Sequence, residues 1–217
     1  MEYRYTVNRV LRQTEDELRP VAHEETEIEA RELVMHSLGV ESRAELAANV
    51  NKKMNSEQYA ELQEYILRRK TGEPLQYILG FWEFMGLRFK TDARALIPRQ
   101  DTETMVEDAL ELLKSGSLRG QEYAGGKAFR GSVEVLDLCC GSGAIGVSIA
   151  KLDKDAKVTC ADVSAKALAV AKKNAAANGC KGVKFVESDL FAASDFHGLK
   201  TGKKAHIFFF LYDCKIT

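Results

Sequence analysis

Two glycines and an aspartate that follow consecutive apolar runs are the residues best suited to chemistry. Gly141 and Gly143 come just after the apolar run Val133–Leu138, and Asp162 ends the run Lys157–Asp162 about twenty residues later. Glycine lets the backbone approach a ligand closely, and a carboxylate accepts hydrogen bonds from hydroxyl groups. This spacing is typical of a nucleotide-type site, in which a glycine turn opens a helix and an acidic residue holds a ribose.

The turn between the first apolar run and the following helix consists of Cys139, Cys140, Gly141, Ser142 and Gly143. It differs from the G-x-G-x-x-G pattern, and no Gly-Lys-Ser/Thr follows it. A pyrophosphate cradle is therefore disfavoured relative to a site for an adenosine ligand without phosphates. S-adenosylmethionine is the leading candidate for that ligand.

The cysteines give no pattern for a metal or a disulfide framework. There are five in the sequence, an odd number, and no two of them form a C-x-x-C pair. For the adjacent Cys139 and Cys140 we favour packing and backbone geometry. A redox pair is the alternative, although neighbouring cysteines bridge only with strain. The four histidines have no spacing that suggests catalysis, and we expect no metal.

The composition is that of a soluble globular protein. Of the 217 residues, 45% are hydrophobic and 29% are charged, and the net charge is -1. This balance gives no reason to expect nucleic-acid or membrane binding. No apolar run approaches transmembrane length and the N-terminus lacks a signal-peptide core, so we expect a cytoplasmic protein.

The elements that must position these residues fall into three predicted regions. Residues 1–75 predict a helical bundle, and its clearest helix spans 56–70, with Ser56 as the expected N-cap. Residues 76–100 are aromatic and broken by glycines, which predicts a hairpin or an extended linker.

From residue 101 onward a helix and a surface loop over 115–132 precede an alternation of strands and helices. The last predicted strand covers 207–212. Such alternation predicts a parallel sheet. The fold class is therefore α/β, with an N-terminal helical bundle and an incomplete Rossmann-like domain over 101–217.

Four ordered motifs carry a resemblance to a known family. They are Pro-Leu-Gln-Tyr-Ile-Leu-Gly at 74–80, Phe-Met-Gly-Leu-Arg-Phe at 84–89, Leu-Ile-Pro-Arg-Gln-Asp-Thr-Glu at 96–103 and Asp-Leu-Cys-Cys-Gly-Ser-Gly-Ala-Ile at 137–145. In this order they resemble the HemK-type release-factor glutamine methyltransferases, to about residue 195. The resemblance implies S-adenosylmethionine-dependent methylation of the glutamine in the Gly-Gly-Gln motif of peptide chain release factors, hence a role in translation termination. It implies that residues 1–75 recognise the release factor.

The resemblance also implies site residues. The turn at 139–143 matches the family's loop for the methionine part of the cofactor, although the family usually has glycine where Cys139 stands. Asp162 matches the acidic residue for the ribose hydroxyls, Asp189 and Leu190 match the segment beside the adenine, and Arg99 is a secondary candidate at the cofactor mouth. The structural alternatives are helix capping for Asp162, turn capping for Asp189 and a surface ion pair for Arg99.

One family feature is absent from the sequence. The substrate motif Asn-Pro-Pro-Tyr is missing, since the three prolines are Pro20, Pro74 and Pro98. We therefore expect no catalytic residue in this chain, an inactive product, and a C-terminus that reflects truncation, a frameshift or a fragment. The alternatives are a non-catalytic module that binds release factors and a methyltransferase for adenine or a small molecule.

Overall fold

A computed structural model of the chain describes residues 5–115, 122–123, 127–128, 133–194, 196 and 205–210. The chain divides into two compact units, Met1–Gly80 and Phe81–Thr217. We call them the helical unit and the sheet unit. No helix in the described ranges is both long enough and apolar enough to cross a membrane.

The helical unit confirms the predicted N-terminal helices. Its described part contains α1 Val7–Ala22, α2 Thr26–Leu38, α3 Arg43–Asn49, α4 Ser56–Lys70 and α5 Leu75–Leu79, with a single 3-10 turn at His23–Glu25. Helices α1, α2 and α4 pack on one another. Their buried faces supply a core in which Leu18, Leu33 and Leu62 are completely buried.

The start of α4 and the presence of α5 differ from the prediction. The N-cap of α4 is Asn55 and not Ser56, because the Asn55 side chain accepts from the Gln58 amide at 2.8 Å while the Gln58 side chain accepts from the Asn55 amide at 3.1 Å. This reciprocal pair is a capping box. The short helix α5 was not predicted. Pro74 precedes it and Gly80 ends it with a φ of 75°, an arrangement that favours a brief helical turn.

The sheet unit begins with the predicted hairpin and continues with the predicted alternation. Its elements are β1 Phe81–Phe84, β2 Leu87–Lys90, α6 Asp101–Ser115, β3 Glu122–Tyr123, β4 Lys127–Ala128, β5 Val133–Leu138, α7 Ala144–Leu152, β6 Lys157–Asp162, α8 Ala165–Ala177, β7 Lys184–Glu187 and β8 Ala205–Phe210. Strands β1 and β2 pair antiparallel, as do β3 and β4. The main sheet has the order β7-β6-β5-β8, and all three pairings are parallel.

The α/β class is thus confirmed, with two local corrections. The last strand, β8, begins two residues earlier than predicted, and the surface segment 115–132 contains the two-residue strands β3 and β4. The side chains of the predicted last strand and the residues from 211 to 217 lie outside the part of the chain that the structure describes.

The core of the sheet unit joins the hairpin to the sheet. Phe84 and Phe89, from β1 and β2, are at most 1% exposed and belong to the same apolar cluster as Val135, Val147 and Leu168. In a parallel sheet the carboxyl ends of the strands meet at one edge. Leu138, Asp162 and Glu187 end their strands at this edge, which brings the predicted site residues together.

Candidate functional site

The candidate site is built around the turn between β5 and α7, residues 139–143, which we call the glycine turn. Cys139, Gly141 and Gly143 have φ angles of 56°, 54° and 77°. A left-handed backbone is uncommon for cysteine, which is a physical reason why the family usually has glycine at this position. At Gly143 a Cβ atom would lie 2.9 Å from the Cβ of Ala171, so only glycine lets the turn approach α8 this closely.

Three buried polar side chains hold this region from three different elements. Asp137 of β5 accepts from the Gly146 amide at 2.9 Å, and Asp162 of β6 accepts from the Gly141 amide at 2.8 Å. Asn174 of α8 donates to the Ser142 carbonyl at 2.9 Å. Since each of the three is at most 6% exposed, the glycine turn and the first turn of α7 are fixed by hydrogen bonds that water competes for only weakly.

Asp162 lies where the sequence predicted, beside the glycine turn. One carboxylate oxygen accepts from Gly141, and the other accepts from the Ser164 amide at 2.8 Å. The N-cap of α8 is Ser164, whose side chain accepts from the Ala167 amide. Asp162 therefore does not cap the helix itself. It joins the start of α8 to the turn, and each oxygen retains a further lone pair.

Asp137 was not singled out from the sequence, and it is the most strongly perturbed acid of the site. The pKa of its carboxyl is raised to about 7, chiefly because burial disfavours the charged form; the hydrogen bond from Gly146 lowers this pKa and the neighbouring charge of Asp162 raises it. Its Oδ1 atom has no hydrogen-bond partner among the described residues. Strongly perturbed acids of this kind concentrate at functional sites. The signal in the sequence was an acidic residue between Leu136 and Leu138 at the end of an apolar strand.

The thiols of this region favour packing over redox chemistry. A hydrogen bond to Cys160 and burial raise the pKa of Cys140. The bond from Cys140 lowers the pKa of Cys160, but burial and the charge of Asp137 outweigh it and the pKa is raised. Thiols with raised pKa are poor nucleophiles. Cys139 is half-buried.

The segment after β7 places Asp189 and Leu190 at the same edge of the sheet. The buried Ser188 orders this segment: its hydroxyl donates to the Leu190 carbonyl at 2.8 Å and accepts from the Ala193 amide at 2.9 Å. The Ser188 amide in turn donates to the Asp162 carbonyl at 3.0 Å. The side chains of Asp189 and Leu190 are exposed.

Apolar surface accompanies these polar groups at the edge. Val163, Leu190 and Phe191 are 64%, 40% and 49% exposed. Arg99 is exposed in the segment between β2 and α6, and its carbonyl accepts from the Thr102 amide.

Comparisons with known proteins match both units. Residues 9–80 match the family "PrmC N-terminal domain", and residues 127–199 match the family "Methyltransferase small domain". The release factor glutamine methyltransferase of Geobacter sulfurreducens is 36% identical over 187 residues, which is 86% of this chain and 60% of that protein. The enzyme of the same name from Bordetella pertussis is 40% identical over 166 residues, 76% of this chain and 56% of that protein.

A solved structure is also similar. Coclaurine N-methyltransferase bound to N-methylheliamine and SAH matches with a TM-score of 0.31 and 19% identity, over 84% of this chain and 48% of that one. Because that score is low, the fold assignment rests on the strand order of the chain itself.

The chain spans about half the length of the curated relatives it matches. The similarity covers both the N-terminal helices and the glycine turn, in agreement with the four motifs. The chain is therefore related to the release factor glutamine methyltransferases.

Proposed function

We propose that this chain provides the cofactor-binding part of an S-adenosylmethionine-dependent methyltransferase that acts on the glutamine of the Gly-Gly-Gln motif in peptide chain release factors. The observation that carries the proposal is the glycine turn at the carboxyl edge of a parallel sheet, held by Asp162 and Asn174 and followed by a helix whose first turn is held by Asp137. The names of the relatives, release factor glutamine methyltransferase, support the choice of substrate.

The acceptor groups and the apolar surface of the site suit this cofactor. Each oxygen of Asp162 accepts one amide hydrogen and retains an acceptor position, which fits two adjacent ribose hydroxyls. Leu190 offers apolar surface that an adenine ring would cover, and Asp189 offers an acceptor for its amino group. The backbone of the glycine turn would then hold the methionine part. When bound, the cofactor supplies a methyl group on a positively charged sulfur.

The acceptor side of the reaction needs groups that hold the glutamine amide. An amide nitrogen is a poor nucleophile, because its lone pair is delocalised into the carbonyl. In the family, the Asn-Pro-Pro-Tyr motif compensates for this low nucleophilicity. Its acceptors align the amide nitrogen with the methyl group, so that transfer relies on proximity and orientation. We infer that these 217 residues, which lack the motif, bind the cofactor without transferring its methyl group.

The helical unit is the proposed site of release-factor recognition. Its match to the PrmC N-terminal domain supports this role. The side-chain caps of α1, α3 and α4 stabilise the helices that would form the recognition surface. The second candidate function, a non-catalytic module that binds release factors, rests on the same unit.

Calorimetry with S-adenosylmethionine tests the cofactor site. We expect Asp162→Ala to weaken binding by about 1–3 kcal/mol, because two hydroxyls lose a charged acceptor. Asp153→Ala is the matched control, since Asp153 follows the other end of α7 and its side chain accepts from the amide of Asp155 in the next turn. Equal affinity in both variants would remove Asp162 from the site.

A methyl-transfer assay distinguishes the remaining candidates. The chain is incubated with labelled S-adenosylmethionine and either an intact release factor or DNA. We expect no transfer to either, together with binding of the cofactor. Methylation of the release factor would show that another group replaces the missing motif. Methylation of DNA would favour the adenine methyltransferase, and release-factor binding without cofactor binding would favour the non-catalytic module.

A further inference from the structure

The side chain of Asn174 joins two segments that are far apart in the sequence. Its Oδ1 accepts from the Lys90 amide at 2.7 Å, and its Nδ2 donates to the Lys90 carbonyl at 3.2 Å. The same Nδ2 donates to the Ser142 carbonyl at 2.9 Å. Both amide hydrogens are used, and the residue is 1% exposed. Asn174 thus connects strand β2 of the hairpin to the glycine turn.

The contact with Lys90 imitates strand pairing. A side-chain amide that bonds to both the N–H and the C=O of one residue does what a neighbouring strand would do. One turn later on α8, Asn178 donates to the Arg88 carbonyl at 3.0 Å. Strand β2 is therefore held along α8 through its main chain, at alternate residues. Only the first of these two asparagines also bonds to the glycine turn.

The part of α8 that precedes Asn174 is close-packed against both segments. Ala171, one turn earlier on α8, is the residue that a side chain on Gly143 would strike. In the segment that continues from β2, Ala95 packs on Ala167 and Val170 of the same helix. Helix α8 therefore positions both the glycine turn and the segment that leads to Arg99, and Asn174 bonds directly to both the turn and strand β2. Well-packed interiors transmit small displacements because they deform little.

We infer that Asn174 is a positioning residue that couples the hairpin to the glycine turn, so that a ligand held at the turn changes the stability of strand β2. The inference rests on the proposed cofactor site for its ligand. It extends that site to a residue that contacts the turn only through the Ser142 carbonyl. Because such coupling is reciprocal, a displacement of β2 must weaken ligand binding by the same factor by which the ligand stabilises β2.

The test combines calorimetry with amide exchange measured by nuclear magnetic resonance in the full chain. Asn174→Asp keeps an acceptor for the Lys90 amide and loses both donors. Asn178→Ala is the matched control, because it removes the bonds to the Arg88 and Asn174 carbonyls and no bond to the turn. We expect Asn174→Asp to lower the affinity for S-adenosylmethionine about tenfold and Asn178→Ala to change that affinity less than about twofold. The ligand should slow exchange at Lys90 in the unmodified chain and in Asn178→Ala, but not in Asn174→Asp.

The inference would be overturned if a folded Asn174→Asp variant kept its affinity for S-adenosylmethionine and the ligand still slowed amide exchange at Lys90. An equal loss in Asn178→Ala would do the same, because a merely structural role predicts no difference between the two asparagines. If circular dichroism shows that Asn174→Asp is unfolded, Asn174→Ser replaces it, since serine is too short for these bonds and adds no charge.

A measurement without ligand separates this inference from the proposed function. If the unmodified chain binds no S-adenosylmethionine, the proposed function fails and the free protein still gives an answer. Asn174→Asp should then speed exchange at Gly141 and Gly143 about tenfold, because their turn has lost one anchor, while Leu136 and Val158 in the sheet stay unchanged. Equal exchange at the turn in both proteins would overturn the inference.

Discussion

The helical unit and the sheet unit use polar side chains in different ways. In the helical unit, Arg69 donates two hydrogen bonds to Glu29, at 2.7 and 3.0 Å, and Asn55 forms a capping box with Gln58. These groups complete an ion pair or a helix end. In the sheet unit, the buried side chains of Asp162 and Asn174 converge on the glycine turn from two elements, and Asp137 accepts from Gly146 in the first turn of α7, which follows it.

The difference supports the proposed site in the sheet unit. A satisfied cap or ion pair stabilises the element to which it belongs and leaves nothing for a ligand. Convergent side chains instead fix a backbone segment whose remaining groups face other partners, and fixing such a segment in advance lowers the cost of binding. Asp137 extends this contrast, because one of its oxygens has no partner within the described residues.

The largest expected effect is on the pH dependence of stability. With a folded pKa of about 7 and an ordinary value of 3.8, Asp137 keeps its proton in the folded chain where the unfolded chain has lost it. Stability therefore falls as pH rises from about 4 to about 7, by as much as about 4 kcal/mol. Urea unfolding at several pH values should show this loss in the unmodified chain and not in Asp137→Asn.

In the same experiment, a carboxylate of the helical unit should contribute to stability with the opposite pH dependence. The hydrogen bond from Arg68 lowers the pKa of Glu73 below its usual 4.5. Its contribution is present above that value and is lost as pH falls through the folded pKa. A wild-type curve parallel to that of Asp137→Asn between about pH 4 and about pH 7 would contradict a neutral Asp137 in the fold.

A smaller effect distinguishes two glycines with similar backbone angles. Gly39, after α2, has a φ of 68° and no atom within 4 Å of the position that a Cβ would occupy, whereas a Cβ at Gly143 would meet Ala171 at 2.9 Å. Gly39→Ala should cost about 1 kcal/mol for the left-handed backbone alone. Gly143→Ala adds overpacking and should cost about 3 kcal/mol. Urea unfolding followed by the fluorescence of Trp82 and by circular dichroism measures both, and equal losses would show that α8 moves aside.

Sequence reasoning predicted the elements better than the contacts between them. The limits of β5 and β6 follow from local apolar runs bounded by turn residues, and the order of the motifs predicted the family. The role of Asn174 could not be predicted, because its partners Lys90 and Ser142 lie 84 and 32 residues away. An asparagine in an alanine-rich helix looks like surface until the fold buries it. Asn55 was missed for a local reason, since Ser56 is also a good N-cap.

The smallest expected effect compares two helix caps. Asn55 caps α4 and Ser164 caps α8, and each side chain accepts from an amide three residues later. Replacing either with alanine should cost about 1 kcal/mol of stability, because one amide at the helix start loses its partner. Their effects on S-adenosylmethionine should differ. Asp162 joins the Ser164 amide to the glycine turn, so fraying the start of α8 releases one side of that carboxylate.

We therefore expect Ser164→Ala to lower the affinity for the cofactor about two- to threefold, which corresponds to less than about 1 kcal/mol. Asn55→Ala should leave the affinity for the cofactor unchanged. Calorimetry on both variants, at a temperature where circular dichroism shows each to be folded, makes the comparison. An equal loss of affinity in the two variants would mean that the helical unit also supports the site. The contrast between local and convergent polar groups would then no longer separate structure from function in this chain.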